Sequence, residues 1–300
     1  MMRLQVRFFL LLLFMLPAAQ TAAAVPGERQ DIWRVNLHSV AYLPAGEQHF
    51  SKLGYYRWEN NRWITSDAET FFATQQPEIP LIVFVDGYSV TSSQAVQVEF
   101  GIAQNFDPDK PCRIVVWDWY SDRGAGSLRR DVQKKLPIAN NAGAYLTLFL
   151  QKLNPQSKAC LFGFSLGCRV VCHAAETLRR NDQRPEGLRL NLVLSGAATD
   201  QRWFAQGQQH SRIPEVVEKI LITYNPSDWV LRFYPLMYNF RSKTQALGFK
   251  GLPMQSIPPE FRDQFENVNV ERYIGNEHQT LSHVRTPVFQ SRINAYFFFE

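Results

Sequence analysis

Three hundred residues, 45% hydrophobic and 20% charged, make one large domain or two small ones and are enough to bury a sizeable core. The formal net charge of +5 falls to +3 once Arg3 and Arg7 of the N-terminal segment are set aside, and no Lys/Arg run concentrates it, which argues against a nucleic-acid partner. The four cysteines do not form an obvious disulfide framework. Cys112 and Cys160 open predicted strands, and Cys168 and Cys172 stand four apart on one helix, a spacing that suits a bridge poorly. They read as buried free thiols. Cys168-x-x-x-Cys172-His173 is one residue too long for haem attachment, and no other His/Cys/carboxylate group has ligand spacing, so neither a metal nor an organic cofactor is expected.

Residues 1–24 have the layout of a signal peptide. Arg3 and Arg7 are basic, Phe8 to Leu16 is apolar, and Ala22-Ala23-Ala24 supplies small residues before Val25. The apolar run is short for a membrane span. The expectation is an exported protein, secreted or periplasmic, with no stable membrane span after cleavage and residues 25–300 as a single domain. Within that domain Ile32 to Val40 reads as a first strand, and Tyr55 to Ile64 as strand, Asn-Asn turn and strand. A helix over Ser66 to Thr74 is expected, with Ser66 as cap and Glu69 three residues on. Leu81 to Val85 is an uninterrupted apolar run, the mark of a strand buried on both faces of a parallel sheet. Helix Ser92 to Asn105, strand Arg113 to Trp117 and helix Ile138 to Leu153 follow. After them come strand Ala159 to Phe162 with its helix, strand Leu190 to Ser195, and Val216 to Tyr224 as helix end plus strand. Val268 to Ile274 is the last strand and Pro287 to Phe298 the last helix. Short apolar strands alternating with helices describe a doubly wound, mostly parallel α/β sheet with helices on both faces.

Gly163-Phe164-Ser165-Leu166-Gly167 stands between a predicted strand and a predicted helix, the context in which G-x-S-x-G marks a nucleophile elbow. A serine hydroxyl needs a base, and the base needs an orienting carboxylate. In an elbow fold the acid and then the histidine follow the serine along the chain. That order leaves His278 and His283 of the six histidines, with His278 preferred because it follows the last strand more directly. Asp228, in the loop after Ile220 to Tyr224, is the preferred acid and Asp200 its rival. The backbone N–H groups of Leu166 and of Tyr88, the latter in the loop after Leu81 to Val85, are the expected oxyanion donors. Asp86 stands beside them, an acid in a loop meant to receive negative charge.

Val85-Asp86-Gly87-Tyr88, Gly163 to Gly167, Asn225-Pro-Ser-Asp228-Trp-Val-Leu231 and Gly275-Asn-Glu-His278 together resemble the α/β-hydrolase superfamily over nearly all of the mature chain. The Trp-containing segment Val115 to Tyr120 and the stretch Leu192 to Phe204 resemble, more narrowly, a bacterial-type group of its serine hydrolases. The resemblance implies an α/β-hydrolase fold and a Ser165–Asp228–His278 triad, but no particular substrate. Gly196 to Val216 is too short for a separate cap domain. Trp229, Phe233, Tyr234, Met237, Tyr238 and Phe240 read either as an apolar wall for an acyl chain or as a helix packed on the sheet. Trp117, Trp119 and Tyr120 are further candidates to line the cleft. The function expected is a serine hydrolase cleaving an acyl ester; the alternative is a non-catalytic binding or scaffold protein that kept the fold.

Overall fold

The structure is a computed structural model that describes residues 30–107, 109–181, 184–238 and 244–300; the signal-peptide reading of residues 1–24 lies outside them. Among the described residues nine strands form one sheet: β1 (Gln30–Asn36), β2 (Gly54–Glu59), β3 (Arg62–Ser66), β4 (Leu81–Val85), β5 (Cys112–Asp118), β6 (Lys158–Phe164), β7 (Arg189–Ser195), β8 (Lys219–Tyr224) and β9 (Phe265–Asn269). Their order is β3-β2-β1-β5-β4-β6-β7-β8-β9, and only β2 runs against its neighbours. Asn60 and Asn61, at φ 51° and 60°, make the tight turn of the β2–β3 hairpin, where both central residues need positive φ.

The apolar runs are continuous because the sheet is covered twice. Side chains alternate along each strand, so Leu81, Val83 and Val85 of β4 enter one core and Ile82 and Phe84 the other. Four long helices complete the layers: α1 (Ser92–Ala103), α2 (Leu128–Gln151), α3 (Gly167–Asn181) and α4 (Pro287–Phe297). Leu146 and Leu150 of α2 and Val171 and Leu178 of α3 close the first core, while Phe100 of α1 and Phe289 and Ile293 of α4 close the second. The chain passes from β4 to β5 on one side and then crosses to β6 on the other, so winding reverses between β4 and β6. Ligands of open α/β sheets sit at such a switch point, beyond the carboxyl ends of the strands. The architecture is an α/β-hydrolase fold: a mostly parallel sheet, helices on both faces, and the serine elbow directly after a central strand.

Several boundaries differ from the sequence reading for identifiable reasons. β1 ends at Asn36, and His38–Val40 is a 3-10 turn. The cap of Ala68–Ala73 is Asp67, whose carboxylate accepts from Thr70 N–H, and Ser66 instead ends β3. α2 starts at Leu128, ten residues before Ile138, and carries Pro137 within it. Its first turns were hidden because Asp131 and Lys135 are buried yet polar, which breaks the apolar period. β9 pairs with β8 over Phe265–Asn269, and Glu271–Ile274 is a short helix. All four cysteines are buried and free. Among the described residues no helix is long and apolar enough to cross a membrane.

Candidate active site

Ser165 stands at the end of β6 with φ +51°, a left-handed backbone that a β-substituted residue adopts only where its surroundings impose it. The surroundings here are specific. Ser165 N–H donates to Ser195 O at the end of β7 (3.0 Å), and Ser165 O accepts from Cys168 N–H (3.2 Å) and Ala198 N–H (3.0 Å). A Cβ on Gly163 would lie 2.7 Å from Cys168 Cα, and one on Gly167 would lie 2.1 Å from Val85 O. Both glycines are therefore demanded by the closeness of β4, β6 and α3.

Asp228 and His278 come to this serine from two loops that are tied to each other. Asp228 is fully buried; its Oδ1 accepts from Val230 N–H (2.9 Å) and Leu231 N–H (2.8 Å), which leaves Oδ2 for His278 Nδ1 at 2.6 Å. His278 Nε2 lies 2.9 Å from Ser165 Oγ. A carboxylate can only accept, so Nδ1 carries the proton and Nε2 presents its lone pair to the serine hydroxyl. Asn225 staples the loops together. Its side-chain amide donates to Gly275 O (2.9 Å), and its Oδ1 accepts from Ser227 N–H (3.0 Å). The other candidates sit apart from this line. His283 is buried, with Nδ1 against Thr223 Oγ1 (3.0 Å), itself 2.8 Å from Ser195 Oγ. Asp200 accepts from Thr244 Oγ1 (2.5 Å) and Arg202 N–H (2.9 Å), joining its loop to the β-bridge at Ala246.

The loop after β4 presses against Ser165: a Cβ on Gly87 would stand 2.9 Å from Ser165 Cβ. Among the described residues neither Leu166 N–H nor Tyr88 N–H has an acceptor. Tyr88 is anchored through its hydroxyl, which donates to Asp131 Oδ2 (2.5 Å) at the start of α2, and that oxygen also accepts from Gly124 N–H (2.9 Å). Trp117 and Trp119 are buried supports and do not line a cleft. Trp117 donates to Ala142 O (3.2 Å) and Trp119 to Asp86 O (2.9 Å). Tyr234 is buried against Leu231 and Ala246, and Phe240 lies outside the described residues. A cleft lined by Asp31, Arg57 and Arg113 lies at the opposite ends of β1 and β5, where both arginines are already paired with Asp31. Among the described residues no group of three or more metal-ligating side chains forms a cation site.

Asp86 is the electrostatic anomaly of the site. Its Oδ1 accepts from Gly87 N–H (2.7 Å) and Thr280 Oγ1 (3.3 Å), while Oδ2 is buried without a partner. Burial pushes its carboxyl up to about 6, against the lowering by Gly87, Thr280 and His278. Between the unfolded value of about 3.9 and this one, the folded chain holds the proton more tightly. The stabilisation is complete below about pH 4 and is lost as pH rises through about 6, a change of about 3 kcal/mol. Asp86→Asn has no proton to lose. The unfolding free energy of wild type minus that of Asp86→Asn should therefore fall by about 3 kcal/mol from pH 4 to pH 8 in urea titrations. The buried histidines 210 and 283 are common to both proteins and cancel in the difference. Parallel stability curves would remove the neutral Asp86 from the account.

No protein-family model matches the chain, and no curated protein does. Among solved structures it is similar to RedJ, solved with a polyethylene glycol molecule bound in its active site, at 16% identity over 59% of this chain and 79% of that one, with a TM-score of 0.30. It is also similar to the carboxylesterase CesB (YbfK) from Bacillus subtilis, at 10% identity over 74% of this chain and 84% of that one, with a TM-score of 0.35. Likeness at this level transfers neither substrate nor mechanism.

Proposed function

We propose that the chain is a serine hydrolase that cleaves an acyl ester through an acyl-enzyme on Ser165. The observation that carries this reading is the unbroken line from Asp228 Oδ2 through both nitrogens of His278 to Ser165 Oγ, at 2.6 and 2.9 Å. As Ser165 Oγ attacks the acyl carbon, its proton passes to His278 Nε2. Asp228 stays ionised, keeps the ring in the required tautomer and stabilises the imidazolium. The carbonyl oxygen becomes an oxyanion facing Leu166 N–H and Tyr88 N–H, donors already free of other acceptors. Collapse breaks the carbon–oxygen bond to the alcohol, which leaves with the proton from His278. Water then attacks the acyl-enzyme by the same route and releases the carboxylic acid. Residues 25–300 are proposed to act as one exported domain, secreted or periplasmic after removal of residues 1–24.

Labelling with a fluorophosphonate probe tests the proposal. The wild-type protein should be modified once, at Ser165, and Ser165→Ala should not react. A folded wild type that takes no label, or a mutant that labels equally, would leave the fold as a binding scaffold.

A further inference from the structure

A second feature lies one turn of α3 beyond the nucleophile, roughly 6 Å along the helix axis. Arg169 projects from α3 toward α2, where its Nε donates to Asn140 Oδ1 (2.8 Å), and its guanidinium carbon stands 5.0 Å from the centre of the Trp203 ring. The side chain is partly buried, and burial pulls its pKa down. No carboxylate pairs with it among the described residues: the acid on its own helix, Glu176, is taken by Arg179 and Arg180. The groups that bear on its charge are the hydroxyls of Tyr234 and Tyr238 and the thiol of Cys172, all neutral at pH 7. Its two terminal nitrogens have no acceptor among the described residues and are not sealed from solvent.

Against the same Trp203 ring, at 5.0 Å, lies His210, fully buried. Burial first, then Arg169 and His173, hold it at about 3, so it is neutral. His173, one turn past Arg169, is likewise lowered by burial and by Arg169. This corner of the fold thus holds a guanidinium that no carboxylate pairs with among the described residues, beside two imidazoles whose affinity for a proton it lowers. A guanidinium fork fits a planar or tetrahedral oxyanion through two parallel hydrogen bonds, and the terminal nitrogens of Arg169 are open to receive one. Tyr234 and Tyr238, stacked at 4.6 Å, come from the segment directly after Asp228, so the corner lies between the elbow helix and the acid loop.

We propose that Arg169 anchors an anion subsite, taking a carboxylate or phosphate group carried by the substrate at a distance from the scissile ester. The substrate part of this inference builds on the proposed hydrolase activity; the binding part does not. Calorimetric titration of wild type, Arg169→Gln and Arg169→Lys with glutarate and with inorganic phosphate tests the binding part. Wild type should bind at least one of them saturably, Arg169→Gln at least tenfold more weakly, and Arg169→Lys in between because it keeps the charge without the fork. Binding of glutarate alone assigns a carboxylate, and of phosphate alone a phosphate. No saturable binding of either, or equal binding by Arg169→Gln with its thermal unfolding unchanged, overturns the subsite. If Arg169→Gln does not fold, an Arg169→Lys protein that binds as tightly as wild type overturns it instead. In turnover, the 4-nitrophenyl monoester of glutaric acid should be preferred over 4-nitrophenyl valerate, with the preference lost through KM in Arg169→Gln. Anion binding with neither ester cleaved would sink the hydrolase reading and leave the subsite. Valerate cleavage without anion binding would do the reverse.

Discussion

His278→Ala should lower kcat/KM on a neutral 4-nitrophenyl ester by about ten-thousand- to million-fold, while His283→Ala stays within about tenfold of wild type. The two histidines are five residues apart and both lie against Phe164, at 5.0 and 5.7 Å between ring centres, so position near the elbow does not separate them. Their partners do. His278 has a carboxylate on Nδ1 and the serine on Nε2. His283 has only the Thr223 hydroxyl on Nδ1, its Nε2 is buried without a partner, and burial holds it at about 3. An imidazole with so low an affinity for a proton is a poor general base. Its loss should instead appear in stability, at about 1–3 kcal/mol, because Thr223 and Ser195 lose a member of a buried polar chain. Steady-state kinetics and urea unfolding of the two variants separate these outcomes. Turnover lost in His283→Ala and kept in His278→Ala would overturn the assignment of the base.

What the sequence made legible follows from how uniform the physical demand is at each place. β4 and β6 are buried on both faces, so nearly every residue had to be apolar and the strands could be read directly. The elbow was legible because glycine is needed on both sides of Ser165 for steric reasons. Chain order narrowed the bases to His278 and His283 and left Asp200 as rival to Asp228, and the structure brings Asp228 and His278 into one line with Ser165. The supports were not legible. Asp131 holds Tyr88 from a helix whose start the polar residues Asp131 and Lys135 concealed, and Lys135 itself is spent on Tyr120 O (3.2 Å). Asn225 and Thr280 look like ordinary turn and cap residues until the loops they join are seen together. β9 was placed too late because Val268 and Val270 are buried on either side of the strand's end, and only pairing of Ile220 with Phe265 fixes the register. Contacts between loops distant in sequence leave no periodic signal. Asp86 was visible as an anomaly, since an acid there conflicts with an oxyanion site. Its burial, with one carboxylate oxygen unpartnered, raises the carboxyl to about 6, so that it is neutral only below that pH.

Gly167→Ala should destabilise the fold by about 3 kcal/mol or more, or prevent soluble expression. The added Cβ would stand 2.1 Å from Val85 O, 2.6 Å from Asp86 O and 2.7 Å from Val85 C, and all three are backbone atoms. No rotamer change relieves a clash with backbone. Relief requires moving α3 away from the sheet or moving the end of β4, which is held between β5 and β6 by a register running through Val85 and Gly163. The first displacement opens the core that Val171, Cys172 and Leu178 close, at a cost that grows with the cavity. The second moves Asp86, Gly87 and Tyr88, and with them one of the two free N–H groups beside Ser165. Any folded fraction should therefore lose turnover as well as stability, which a simple packing defect in the core would not do. Gly46→Ala is the matched control, since a Cβ there meets nothing within 4 Å and its φ of 179° is ordinary extended backbone. It should stay within about 0.5 kcal/mol of wild type and keep full activity. A Gly167→Ala protein that unfolds within about 1 kcal/mol of wild type and turns over normally would mean that β4 and α3 are not packed as closely as the elbow requires.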